Sequence, residues 1–138
     1  MSELFLDTSY ALALSAKTDR HHSRAMDLFR QVRRMGIRLV TTRAVMLEIG
    51  NSLSKSRRRP EAVGLLKSLE ADPSVEILPL SEDLFRRGFD LFSQRCDKDW
   101  GLVDCVSFVV MHDRRLRDCL TTDRHFKQAG FQALLLEA

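Results

Sequence analysis

Short apolar runs alternate along the chain with stretches of helical period, and this alternation limits the fold more than any other feature. The runs are "ELFL" at 3–6, "IRLVTT" at 37–42, "VEILPL" at 75–80, "RDCLTT" at 117–122 and "FQALLLEA" at 131–138. Each reads as a strand, the first ending at Asp7. Between the first two, Ser9 is placed to cap a helix through "YALALSA". A second helix carries Ala25, Leu28, Phe29, Val32 and Met35 on one face and stops at Gly36. A helix from Thr42 is expected to run through "RAVMLEIGNSLSKSRRR" to Pro60, with another through "EAVGLLKSLE". Ser81 caps a helix bearing Leu84, Phe85, Gly88, Phe89 and Phe92, and "GLVDCVSFVVMHDRRL" follows with Val103, Val106 and Val110 on one face. "DRHFKQAG" is a turn or short helix. Strands that alternate with helices pair in parallel and are covered on both faces. The expected architecture is therefore α/β, a three-layer α/β/α sandwich around a mostly parallel sheet of about five strands.

With 138 residues and no repeat or Pro/Gly/Ser linker, residues 1–138 read as one domain. The net charge of +3 is compatible with an anionic partner without requiring one. Cys96, Cys105 and Cys119 are odd in number and form no CxxC, which suits free thiols in a reducing compartment. "LFLDTSYALALSA" resembles a signal peptide in outline, but Glu3 stands where a basic region belongs and Asp7 interrupts the apolar run. No apolar run approaches membrane-spanning length. The chain is expected to be cytoplasmic.

Ligands of open parallel sheets bind beyond the carboxyl ends of the strands. Asp7 and Asp123 directly follow two of the strands, Glu48 lies early in the helix after the second, and Asp104 lies in the first turn of another helix. Clustered there, these acids would repel one another by several kcal/mol per pair at roughly 4 Å and an effective dielectric near 20. Either a shared proton or a captured cation relieves that repulsion. An all-oxygen set of Asp and Glu suits Mg²⁺ or Mn²⁺. Read singly, Asp104 is equally a helix-dipole partner and Asp123 an ordinary helix cap.

Taken in order, "LDTSY", "LEIGNSL", "DKDWGLVDCVSF" and "LTTDRHFKQAGF" resemble the PIN-domain family, nearest in pattern to VapC-like toxin ribonucleases. The resemblance spans nearly the whole chain. It implies a metal-dependent endoribonuclease that hydrolyses RNA phosphodiester bonds, with 5′-phosphate and 3′-hydroxyl products, acting as the toxin of a type II toxin–antitoxin pair. The matching acids are Asp7, Glu48, Asp104 and Asp123, implied as catalytic residues and as ligands of one or two Mg²⁺ or Mn²⁺ ions. Asp7 and Asp104 are expected to hold the principal ion, Asp123 to complete its surroundings, and Glu48 to hold a second ion or position the attacking water. Thr8, Ser9, Ser107 and Thr122 are expected to orient carboxylates, and Asp99 matches an additional acid in the subset carrying "D-x-D-W". A small antitoxin protein and a homodimer follow from the same likeness. The competing reading is a PIN-like RNA-binding or partner-binding module without significant catalysis.

Other features have two readings. "KSRRRP" is a solvated helix C-terminus or a patch that tracks phosphates. Arg124, His125 and Lys127 are candidates for RNA contact, with His125 otherwise a general acid or a structural side chain before Phe126. His21, His22, His112 and His125 lack zinc-ligand spacing, so zinc is not expected. Trp100 stacks on a base or covers a helix start capped by Asp99. Phe29, Phe85, Phe89 and Phe92 belong to the core or to a dimer face. A dehalogenase-type phosphotransferase needs an Asp where Ser9 stands, and a response-regulator receiver needs a late-strand Lys where "TTDRHF" offers Asp.

Overall fold

The computed structural model describes residues 3–137. Five strands form one sheet: β1 (Glu3–Leu6), β2 (Arg38–Thr42), β3 (Val75–Leu78), β4 (Asp118–Leu120) and β5 (Gln132–Ala133). Their order is β3-β2-β1-β4-β5, and every neighbouring pair is parallel. The helices are α1 (Thr8–Ser15), α2 (His22–Met35), α3 (Arg43–Ser52), α4 (Arg59–Ala71), α5 (Glu82–Gln94), α6 (Leu102–Asp113) and α7 (Arg124–Gln128). Parallel crossovers are right-handed, so chain direction across the sheet decides which face each helix covers. From β1 to β3 the chain steps one way and lays down α1 to α4, which touch one another. It then crosses beneath to β4 and steps the other way, so α5, α6 and α7 cover the opposite face. This is the expected three-layer sandwich, with an all-parallel sheet.

The reversal of direction lies between β1 and β4, and a crevice opens at such a switch point. Both strands there are buried: Leu4, Phe5 and Leu6 in β1, Cys119 and Leu120 in β4. Residues 105–111 of α6 are buried all round, which makes α6 the central helix of its layer. Among the described residues no helix is long and apolar enough to cross a membrane.

Local chemistry accounts for most boundaries. Gly36 adopts the left-handed conformation (φ 64°) and ends α2, as expected. Ser81 caps α5 by accepting the Leu84 N–H at 3.0 Å. Thr42 does the same for α3, accepting from Val45 at 3.2 Å.

Four expectations are corrected. Ser9 does not cap α1; the helix starts at Thr8, with Asp7 at the cap position, because β1 enters it without a loop. The helix expected to reach Pro60 stops at Ser52, where Asn and Ser residues give weak helix propensity, and a new helix starts around Pro60. The "KSRRR" cations are therefore not at a helix C-terminus. Arg59 donates to the Ser54 carbonyl at 2.7 Å, and Arg58 pairs with Glu61 at 3.1 Å. Asp99 is exposed and caps nothing, since Gly101 holds the cap position of α6. The last strand is only Gln132–Ala133, followed by a 3₁₀ turn over Leu134–Leu136 that buries Leu135. The chain enters that turn at Leu134, so the ladder ends at the Cys119–Ala133 pair although β4 continues to Leu120. Ala138 lies outside the described residues.

Candidate active site

Asp7 emerges from β1 at the switch point, and its backbone N–H donates to the Leu120 carbonyl at 3.2 Å. Leu6 pairs with Leu120, so the next residue of each strand, Asp7 and Thr121, stand side by side. The Thr121 hydroxyl donates to Asp7 Oδ2 at 2.7 Å, and the Ser9 hydroxyl donates to the same oxygen at 3.1 Å. Ser9 in turn accepts the Thr122 N–H at 2.9 Å, and Thr121 accepts the Asp123 N–H at 3.0 Å. A closed set of hydroxyls thus ties the end of β1 to the end of β4 and fixes the orientation of Asp7.

Three other acids reach the same place from different elements. Glu48, on α3, accepts a hydrogen bond from the Thr8 hydroxyl at the start of α1. Asp104, in the first turn of α6, accepts the Gly101 N–H at 3.1 Å. Asp123 leads into α7 and accepts the His125 N–H at 2.9 Å. The His125 imidazole stands between them, with Nδ1 3.3 Å from an oxygen of Asp104 and 3.3 Å from an oxygen of Asp123. Asp7, Glu48, Asp104, Asp123 and His125 all line one open cleft of about 310 Å³, together with Thr8, Ser9, Leu12 and Ser52.

The electrostatics follow from that crowding. Asp7 is only 4% exposed. Burial pushes its carboxyl from 3.8 up to about 7, and repulsion from Asp104 and Glu48 adds to this, while the Thr121 hydrogen bond opposes it. Burial also raises Asp104, helped by the nearby Asp123 and opposed by the Gly101 N–H and His125. No arginine or lysine is among the residues lining the cleft. Four carboxylates with one imidazole and no guanidinium or ammonium form a donor set suited to a hard divalent cation.

The remaining candidates divide. The Thr8 hydroxyl donates to Glu48 and the Ser9 hydroxyl donates to Asp7. Ser107 makes no such contact: its hydroxyl is fully buried on α6 without a hydrogen-bond partner. Thr122 contributes its backbone N–H, and the orienting hydroxyl belongs to its neighbour Thr121, which sequence reasoning passed over. The signal was available only through register, because choosing between two adjacent threonines requires knowing that β4 pairs with β1. Asp99, Arg124 and Lys127 are exposed and do not line the cleft. Trp100 is 6% exposed, packs edge-on against Phe108 and donates to Gln128 at 3.1 Å, so it covers the helix start. Beside the cleft, sharing Glu48, lies an apolar hollow lined by Leu47, Leu80, Phe85 and Val103.

The model of the PIN-domain family matches residues 4–132, which include all four acids and the strands that present them. No curated protein sequence matches the chain. Among solved structures it is similar to VapC20 of Mycobacterium tuberculosis, described as a sarcin-ricin loop cleaving toxin. That match has a TM-score of 0.83 at 23% identity, over 93% of this chain and 95% of that one. The fold reached from the strand–helix alternation and the extent of the family match agree, and the chain belongs to the PIN-domain family.

Proposed function

We propose that the protein is a metal-dependent endoribonuclease whose active site is formed by Asp7, Glu48, Asp104 and Asp123. The observation that carries this reading is the convergence of four carboxylates, from four separate elements, on one cleft that no arginine or lysine lines. Asp7 and Asp104 would hold the principal Mg²⁺ or Mn²⁺, with Asp123 completing its surroundings and Glu48 available to a second ion or to the attacking water. Such an ion supplies Lewis-acid polarisation of a phosphoryl oxygen and lowers the pKa of a bound water. The chain's own residues prepare the site for it. Thr121 and Ser9 lock the rotamer of Asp7, and Thr8 holds Glu48 toward the cleft. Arg124 and Lys127, exposed and close in sequence to Asp123, would meet the phosphates of a bound strand.

The similarity to a toxin supports a place in a type II toxin–antitoxin pair, with a small antitoxin protein covering the cleft. The half-exposed Phe85, Phe89 and Phe92 on α5 supply an apolar face for a second copy. Purified protein incubated with RNA and Mg²⁺ or Mn²⁺ should leave 5′-phosphate ends, and chelation should stop the cutting. Asp7→Asn should abolish cleavage while RNA binding persists. Undiminished cutting by that variant would place the chemistry elsewhere, and RNA binding without cutting by the unaltered protein would make the chain a binding module.

A further inference from the structure

His125 offers the one nitrogen donor among the residues lining the acidic cleft. One oxygen of Asp104, one of Asp123 and a ring nitrogen of His125 lie within 4.8 Å of one another. His125 Nδ1 is 3.3 Å from Asp104 Oδ2 and 3.3 Å from Asp123 Oδ1. Right-angled ligands about 2.0–2.1 Å from an octahedral magnesium stand roughly 2.9 Å apart, so these edges admit a somewhat larger ion with longer bonds.

The triangle is held by packing. Phe126, the next residue of α7, is buried against Phe108 of α6 with ring centroids 4.9 Å apart. That contact docks the element carrying Asp123 and His125 onto the helix carrying Asp104. The Asp123 side chain also grips the His125 N–H at 2.9 Å, which fixes the turn.

We infer that His125 Nδ1 is a metal ligand beside Asp104 and Asp123, and that it makes the site select Mn²⁺ over Mg²⁺. This rests on the cleft's being a metal site, as proposed above, and adds the identity of the ion. Magnesium binds through oxygens and dehydrates reluctantly, whereas first-row transition ions accept imidazole readily. A purely carboxylate set would discriminate weakly between the two.

The test measures binding rather than turnover. Mn²⁺ and Mg²⁺ are titrated calorimetrically into the chelator-treated protein, and pulsed EPR of the Mn²⁺-loaded protein reads directly coordinated nitrogen. Mn²⁺ should bind at least tenfold more tightly than Mg²⁺, with a nitrogen coupling in the spectrum. His125→Ala should lose the coupling and about tenfold or more in Mn²⁺ affinity, with a change in Mg²⁺ affinity of less than about threefold. His125→Asn, which returns an oxygen donor near the Nδ1 position, should bind both ions with the preference largely gone. If His125→Ala does not fold, the EPR spectrum of the unaltered protein decides alone. Tight Mn²⁺ binding without nitrogen coupling, unchanged in the variants, would overturn the role of His125 and leave the metal site standing. Failure of both ions to bind would overturn the two together.

Discussion

Replacing Asp7 with asparagine should stabilise the metal-free protein while destroying its function. The carboxyl is 4% exposed, and burial with neighbouring charge lifts it from 3.8 to about 7. That displacement of roughly three units, at 1.36 kcal/mol each, makes ionised Asp7 cost the fold about 4 kcal/mol relative to the unfolded chain. The sign is set by the direction of the shift. Between the two values the native state binds the extra proton, so Asp7's contribution is fully favourable below about pH 4 and is lost as pH rises toward 7. Asparagine keeps the volume and an oxygen to accept from Thr121 and Ser9, and it carries no charge. For a chain of this length about 3 °C in Tm corresponds to 1 kcal/mol, so Asp7→Asn should melt about 12 °C higher in EDTA near pH 8. The gain should shrink steadily on acidification and nearly vanish by about pH 4. Excess Mn²⁺ should reverse the order, because an ion bound only by the folded state stabilises the protein that holds it better. Scanning calorimetry of both proteins across pH, with and without Mn²⁺, checks each part. An Asp7→Asn protein no more stable than its parent at pH 8 in EDTA would show that ionised Asp7 carries no such cost.

The other expectations are narrower. Thr121→Val removes the donor to Asp7 and the acceptor of the Asp123 N–H, and should cost about 1–3 kcal/mol by chemical denaturation. Because that hydroxyl lowers the Asp7 pKa, the loss should be larger near pH 8 than near pH 4. Gly88→Ala would set a methyl 2.6 Å from Val106 Cγ2, where α5 crosses α6, and the overpacking of about 1–3 kcal/mol should outweigh any gain in helix propensity. Replacing Arg124 and Lys127 together with alanine should weaken RNA binding and flatten its dependence on log salt by roughly 1.4 if each meets one phosphate of a single strand.

What could be read from the sequence was whatever local periodicity controls. The α/β/α architecture, the Gly36 stop and the Ser81 cap are written in spacing and residue type. The placement of Asp7 and Asp123 at the sheet's carboxyl edge follows from strand ends alone. What escaped depends on pairing between distant segments. Thr121 rather than Thr122 orients Asp7 because β4 lies against β1 in one register, and adjacent threonines look identical without it. His125 lacks a zinc spacing, yet the turn after β4 carries it to Asp104, 21 residues away in the chain. The break at Ser52 was masked by an apolar pattern that continues at Leu53, which stays buried beyond the helix end. The short β5 reflects the 3₁₀ turn that begins at Leu134, which its own apolar run does not reveal.

On the function proposed above, a divalent ion relieves the mutual repulsion among Asp7, Glu48, Asp104 and Asp123. Anomalous diffraction from crystals soaked in Mn²⁺ tests it most directly. A manganese peak is expected in the cleft, bonded to oxygens of Asp7, Asp104 and Asp123 and absent from Asp104→Asn crystals. A cleft with no peak after saturation, or manganese bound only at sites remote from these acids, would contradict it.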